Sequence, residues 1–182
     1  MKKSDFNLHE FPVDLPIFST ILEDHVEFNK YLKEVIVEHR KKFPQSRTST
    51  IKAWHTGFDT HILNSNFEPI CERTLEICKF LCNEYYGNNY SFYVHDLWVM
   101  MYERGDKTEK HNHFPSVFSC TYYVDVDDKS SPIIFENNKG KLLSIQPVNG
   151  MLLIWGSLIK HMVLPTDGKR IVISMNITDS YF

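Results

Sequence analysis

The chain has 182 residues and a formal net charge of −3. That is the length of one domain, expected to span 1–182, and it is long enough to bury a core without metal or disulfide staples. The slight acidic excess argues against a nucleic-acid partner, and no apolar run is long enough to cross a membrane.

Met1 to Asp5 carries charges with no apolar stretch behind it, so no signal peptide is expected. Residues 6–18 read as an extended arm with an edge strand around Ile17. Ser19 or Thr20 can cap a helix running to about Lys42, with Glu23 completing a capping box after Thr20. Ile21, Leu22, Val26, Phe28, Tyr31, Leu32, Val35 and Ile36 fall mainly on one of its faces. Arg40, Lys41 and Lys42 complement the dipole at its end, and Pro44 stops it.

Residues 45–66 read as polar and irregular, around Trp54-His55-Thr56-Gly57. A second helix is expected from Glu68 to Tyr86, with Ile70, Leu75, Ile77, Cys78, Leu81 and Cys82 buried and Gly87 as terminator. The four cysteines, Cys71, Cys78, Cys82 and Cys120, lack the further ligands a zinc site wants. They are expected as reduced, mostly buried thiols of a cytoplasmic protein.

After Asn89 the pattern becomes strand-like. A strand is expected over Tyr90 to Tyr102 with a break near Asp96, and a turn at Gly105. A second strand region runs from His113 to Val126, followed by a turn at Ser130-Ser131-Pro132. Short strands follow at Ile133 to Glu136, Lys141 to Gln146, Gly150 to Trp155, His161 to Leu164 and Arg170 to Ile177. Asn137 to Gly140 is a hairpin turn. The expected fold is mainly β with α: a jelly-roll barrel over 90–182, with 1–89 as helical support and substrate loop.

His111-Asn112-His113 places two imidazoles on one face of an extended segment. The best third ligand is His161, which opens a later strand that a jelly roll can lay alongside. Three imidazoles leave open positions on an octahedral iron. Arg170 opens the strand after His161, and a cation entering a hydrophobic barrel needs an anionic partner. A dicarboxylate supplies one through a bidentate guanidinium pair.

Several pieces between Trp98 and Ile177 together form a recognisable order. They are Trp98-Val-Met-Met-Tyr102, Gly105, His111-Asn112-His113, Ser119-Cys-Thr-Tyr-Tyr123, Pro147-Val-Asn-Gly150, His161, and Arg170 with Asn176. This stretch resembles the Fe(II)/2-oxoglutarate-dependent oxygenases, and within them small bacterial and phage proteins related to prolyl hydroxylases. Trp54-His55-Thr56 is a weaker landmark of the same kind.

The resemblance implies a double-stranded β-helix with Fe(II) on His111, His113 and His161. It implies 2-oxoglutarate as co-substrate on Arg170 with Asn176, and O2 as oxidant. The wider superfamily has Asp or Glu where this chain has His113, although the subfamily it resembles tolerates His-x-His. Many relatives have a serine where this chain has Val172, so Tyr102, Thr121 or Tyr123 is left to offer the hydroxyl. The implied activity is hydroxylation of an amino-acid residue or small molecule, releasing succinate and CO2.

Two other readings start from the same residues. Gly105 followed by His111 and His113 fits the first half of a cupin motif, hence a three-histidine dioxygenase without 2-oxoglutarate. The expected downstream glutamate is missing. A non-catalytic barrel would instead bind a sugar or protein through an aromatic surface of Trp54, Trp98 and Trp155.

Overall fold

A computed structural model describes residues 15–45, 53–87 and 90–180. The start of the expected N-terminal arm and residues 46–52 lie outside the described residues.

The first element is a strand, β1 (Ile17–Ile21), and the first helix, α1, runs over His25–Lys42. The expected cap on Ser19 or Thr20 is therefore corrected by several residues. Backbone pairing with a later strand captures residues 17–21, from Ile17 opposite Trp155 to Ile21 opposite Met151. Asp24 takes the N-cap position without a side-chain cap bond. Its carboxylate is instead held by Arg73, at 2.5 and 2.7 Å.

Ile21, Val26 and Tyr31 consequently face solvent, contrary to the expected stripe. The buried stripe of α1 is Phe28, Leu32, Val35, Ile36 and His39, the i, i+4, i+7, i+8 pattern of a helix on a sheet.

The region expected to be irregular is organised. It holds β2 (Trp54–His55), α2 (Thr60–Leu63) and a 3-10 turn over Ser65–Phe67. Local polar bonds build it: Thr60 donates to Thr56 Oγ1 and Gly57 O, and Thr56 Oγ1 accepts from Val99 N. Hydrophobic periodicity does not report such bonds. α3 covers Glu68–Tyr86 as expected, with Pro in its first turn and Gly87 in the left-handed conformation at φ 66°.

The β region comprises β3 (Phe92–Tyr102), β4 (Thr108–His111), β5 (Phe118–Val126), β6 (Ile133–Glu136), β7 (Leu142–Ile145), β8 (Met151–Gly156), β9 (Lys160–Val163) and β10 (Arg170–Asp179). The break expected near Asp96 is a bulge, because the register against β10 slips between Asp96 and Val94. The single strand expected over His113 to Val126 is corrected. Residues 112–117 form a turn between β4 and β5, where Pro115 offers no N–H to a ladder. The next turn centres on Asp128 and Lys129, just before the expected Ser130-Pro132.

The strands form a six-stranded sheet, β1-β8-β5-β10-β3-β2, and a four-stranded sheet, β4-β9-β6-β7. Alternation along each strand divides the apolar residues between two cores. Leu97 and Val99 of β3, Tyr122 of β5 and Ile173 of β10 face α1 and α3. There Tyr122 donates to Asn29 Oδ1 across the buried layer, at 2.6 Å. Trp98, Met100, Tyr123, Val172 and Trp155 face inward and meet Ile133, Phe135 and Val163 of the smaller sheet.

Gly150 enters β8 at φ +80°, and a Cβ there would fall 2.3 Å from that of His25. This turn packs directly on the start of α1 and admits only glycine. All four cysteines are free and buried, and no described helix is long and apolar enough to cross a membrane.

Candidate metal centre

His111 closes β4 and pairs directly with His161 of β9. Their ring centroids are 4.4 Å apart. His113 lies just beyond the strand, where its N–H donates to Ser157 O at 2.9 Å. That bond turns its ring back toward the pair, 4.7 Å from His111 and 5.1 Å from His161. The two imidazoles of His111-Asn112-His113 therefore do not share one strand; a strand end and a turn bring them together.

The ligand nitrogens of the three residues all lie within 4.8 Å of one another. His111 Nδ1 sits 2.7 Å from Glu109 O, and His161 Nδ1 3.4 Å from Ile159 O. Main-chain carbonyls at Nδ1 leave Nε2 with its lone pair, the nitrogen that a metal uses. Burial pushes the His113 imidazole down to about 4, assisted by the charge of His111. Burial likewise holds His161 well below the usual histidine range. Three imidazoles gathered this closely, with His113 and His161 held neutral by burial, are the donor set a divalent metal needs.

Arg170, at the head of β10, is 3% exposed. Its guanidinium carbon lies 4.3 Å from the Tyr102 ring centroid, and Nη1 donates to Ser131 O at 2.8 Å. Nε is buried with no partner. Among the described residues no carboxylate lies within ion-pairing distance of this cation. A buried, half-satisfied guanidinium fits an anionic ligand.

The cavity between the sheets is lined by the three histidines and Arg170, and by Tyr102, Thr121 and Tyr123. Tyr102 already shares its hydroxyl with Thr108, and Thr121 Oγ1 is 2.9 Å from Ser174 Oγ. Burial pushes the Tyr123 phenol up to about 12, against the pull of Arg170.

Asn176 is not among the lining residues. Its amide donates to Asp96 Oδ2 at 2.8 Å and accepts from Ser119 at 3.2 Å. His55 does not line the cavity either; it stacks behind Trp98 at 6.1 Å. Trp54, Trp98 and Trp155 are all buried, so they offer no aromatic surface to a sugar or protein.

Sequence reasoning did not assign Met100, Thr108 or Ser174 to the cavity, nor Trp155, which packs 4.9 Å from His161. The usable signal was parity, since residues 98, 100 and 102 alternate with the outward Leu97 and Val99.

Two facing antiparallel sheets form a double-stranded β-helix whose cavity gathers three imidazoles and one buried arginine. Residues 96–176 match the family described as "Putative 2OG-Fe(II) oxygenase". Comparison with curated proteins finds no match.

Solved structures share the fold. A Pseudomonas putida prolyl-4-hydroxylase is 12% identical, with a TM-score of 0.65 over 89% of this chain and 91% of that one. A Trichoplax adhaerens prolyl hydroxylase, in complex with a hypoxia-inducible-factor peptide fragment, is 16% identical. Its TM-score is 0.70 over 92% and 84%. A collagen prolyl hydroxylase of Paramecium bursaria Chlorella virus-1, in its 2-oxoglutarate complex, is 15% identical. Its TM-score is 0.60 over 88% and 94%. Residues 96–176 are thus similar in sequence to the Fe(II)/2-oxoglutarate oxygenases, and the chain shares its fold with the solved prolyl hydroxylases.

Proposed function

We propose that the chain is an Fe(II)- and 2-oxoglutarate-dependent dioxygenase that hydroxylates an amino-acid residue or a small molecule. The observation that carries this reading is Arg170, a buried cation without an acid partner among the described residues, in the same cavity as three clustered imidazoles. A cupin-type dioxygenase acting without a dicarboxylate leaves that arginine without a task.

His111, His113 and His161 hold the metal through Nε2, and the carbonyls behind His111 and His161 fix those rings. Arg170 binds the distal carboxylate of 2-oxoglutarate. Tyr102, Thr121 and Tyr123 offer hydroxyls in the cavity, and Tyr123 stands directly opposite Val172. Iron with 2-oxoglutarate and O2 supplies the oxidation, releasing succinate and CO2. Trp98, Met100 and Trp155 give the cavity apolar walls.

With no carboxylate ligand, the metal site is one charge more positive than the His-x-Asp pattern, which favours a dianionic co-substrate. Anaerobic addition of Fe(II) and 2-oxoglutarate should give a visible charge-transfer band, and admission of air should release succinate. Absence of both would overturn the proposal.

A further inference from the structure

We propose that Asp96 anchors the primary substrate and selects one that carries an ammonium or guanidinium group. The inference rests on the oxygenase reading for the identity of the cavity beside it.

The cavity wall is built in rows. Cross-strand register sets Arg170 opposite Tyr102, then Val172 between Met100 and Tyr123, then Ser174 between Trp98 and Thr121. Each row lies roughly 7 Å further along the strands than the last. Arg170 marks the deep end, and the ring of Trp98 in the third row is 5.4 Å from His113. The same parity continues one step outward, to Asn176 between Asp96 and Ser119. Asp96 therefore shares the cavity-facing side of β3, one row beyond Trp98 and just outside the residues that line the cavity.

Its carboxylate is held on one side and open on the other. Oδ2 accepts from Asn176, whose own amide oxygen accepts from Ser119. Oδ1 is 3.0 Å from His95 Nδ1, and the Asp96 side chain keeps 24% exposure. A carboxylate has about four acceptor positions, and these contacts use two. Among the described residues no lysine or arginine pairs with it. The bulge at His95 ends the regular face at this point and aims the side chain, as bulges beside functional sites do.

The neighbouring wall suits the alkyl part of a basic group. Phe58 is 52% exposed and meets Trp98 edge-on at 5.2 Å. Its carbonyl is pinned by Leu97 N at 2.7 Å. A fixed carboxylate two residues along β3 from Trp98, the ring that Phe58 meets, is chemistry that suits a cation on an apolar stem.

The test is calorimetric titration of the full chain loaded with Zn(II), which is catalytically silent, and 2-oxoglutarate. The probes are the amides of Nα-acetyl-lysine, Nα-acetyl-arginine, Nα-acetyl-norleucine and Nα-acetyl-glutamate, and free norleucine. At least one cationic probe should bind about tenfold or more tighter than Nα-acetyl-norleucine amide, the scale of one charged hydrogen bond. A gain confined to free norleucine assigns the cation to an α-ammonium; a gain for lysine or arginine assigns it to a side chain.

Asp96→Asn should erase the preference with an unchanged melting temperature, and Asp96→Lys should turn it toward the glutamate probe. Equal binding of charged and neutral probes, no binding of any cationic probe, or a preference surviving in Asp96→Asn overturns the inference. Substrate-free succinate release by the Fe(II) protein is measured in parallel. Its loss beside an intact cation preference would sink the oxygenase reading alone.

Discussion

Arg170 and Tyr102 are cross-strand partners on β10 and β3, and the guanidinium lies over the phenol ring at 4.3 Å. One face of the cation is thereby taken by an aromatic ring, and its Nε remains without a partner. The arrangement costs the ligand-free protein stability and reserves binding strength for an anion.

Arg170→Met separates these two effects. Affinity for 2-oxoglutarate should fall by about 1.5–3 kcal/mol, roughly 10- to 150-fold. The melting temperature of the ligand-free variant should be equal to or above that of the parent, because a buried unpaired charge has gone. Calorimetry and a thermal melt read the two signs, and an unchanged affinity would remove Arg170 from the co-substrate site.

Replacing His111 or His161 with Ala should weaken Fe(II) binding in equilibrium dialysis by more than the roughly 10–100-fold that loss of an outer-shell partner costs. His113→Asp should keep the metal. It should also weaken 2-oxoglutarate binding, since a new negative charge then faces the dianion. Metal binding unaffected by loss of His161 would contradict the proposed ligand set.

The metal-free protein should lose stability on mild acidification. Unfolded imidazoles take up protons near pH 6.5, whereas folded His113 resists until about 4 and His161 is also held well below the usual range. The unfolded state thus binds more protons in this window, and stability falls as pH drops from 6.5 toward 4. His113→Gln should flatten the dependence of the urea midpoint on pH across that interval.

Leu32 is fully buried between α1 and the larger sheet, and Leu32→Ala should cost about 2–5 kcal/mol in urea unfolding. Thr20→Ala should stay within about 0.5 kcal/mol, because Thr20 lies in β1 and caps nothing. A loss near 1 kcal/mol, the usual cost of removing a helix cap, would restore the earlier helix start.

Local signals carried much of the architecture into the sequence. Gly87 and the apolar stripe bounded α3, and the alternation from Phe92 onward marked the strands, including the irregularity at Asp96. What failed was long-range. Residues 17–21 are strand because β8 offers them a ladder, and 54–67 are ordered because Thr56 bonds the edge of β3. Neither partner is visible in a local window.

The site followed the same division. The histidines and Arg170 were legible as residue types at telling spacings. Asn176 and Asp96 acquire their places only once β3, β5 and β10 are aligned, since their row is a property of register.

The pairing of His111 with His161 has a mechanical consequence. β4 is the outer strand of its sheet, and β9 is its hydrogen-bonded neighbour there. Edge strands are where sheets fray and recruit foreign strands. A metal held by both residues is a rivet through that seam. Emptying the site should therefore raise amide exchange along Thr108–His111 before the helical layer loosens, and make the barrel's rim its first point of failure.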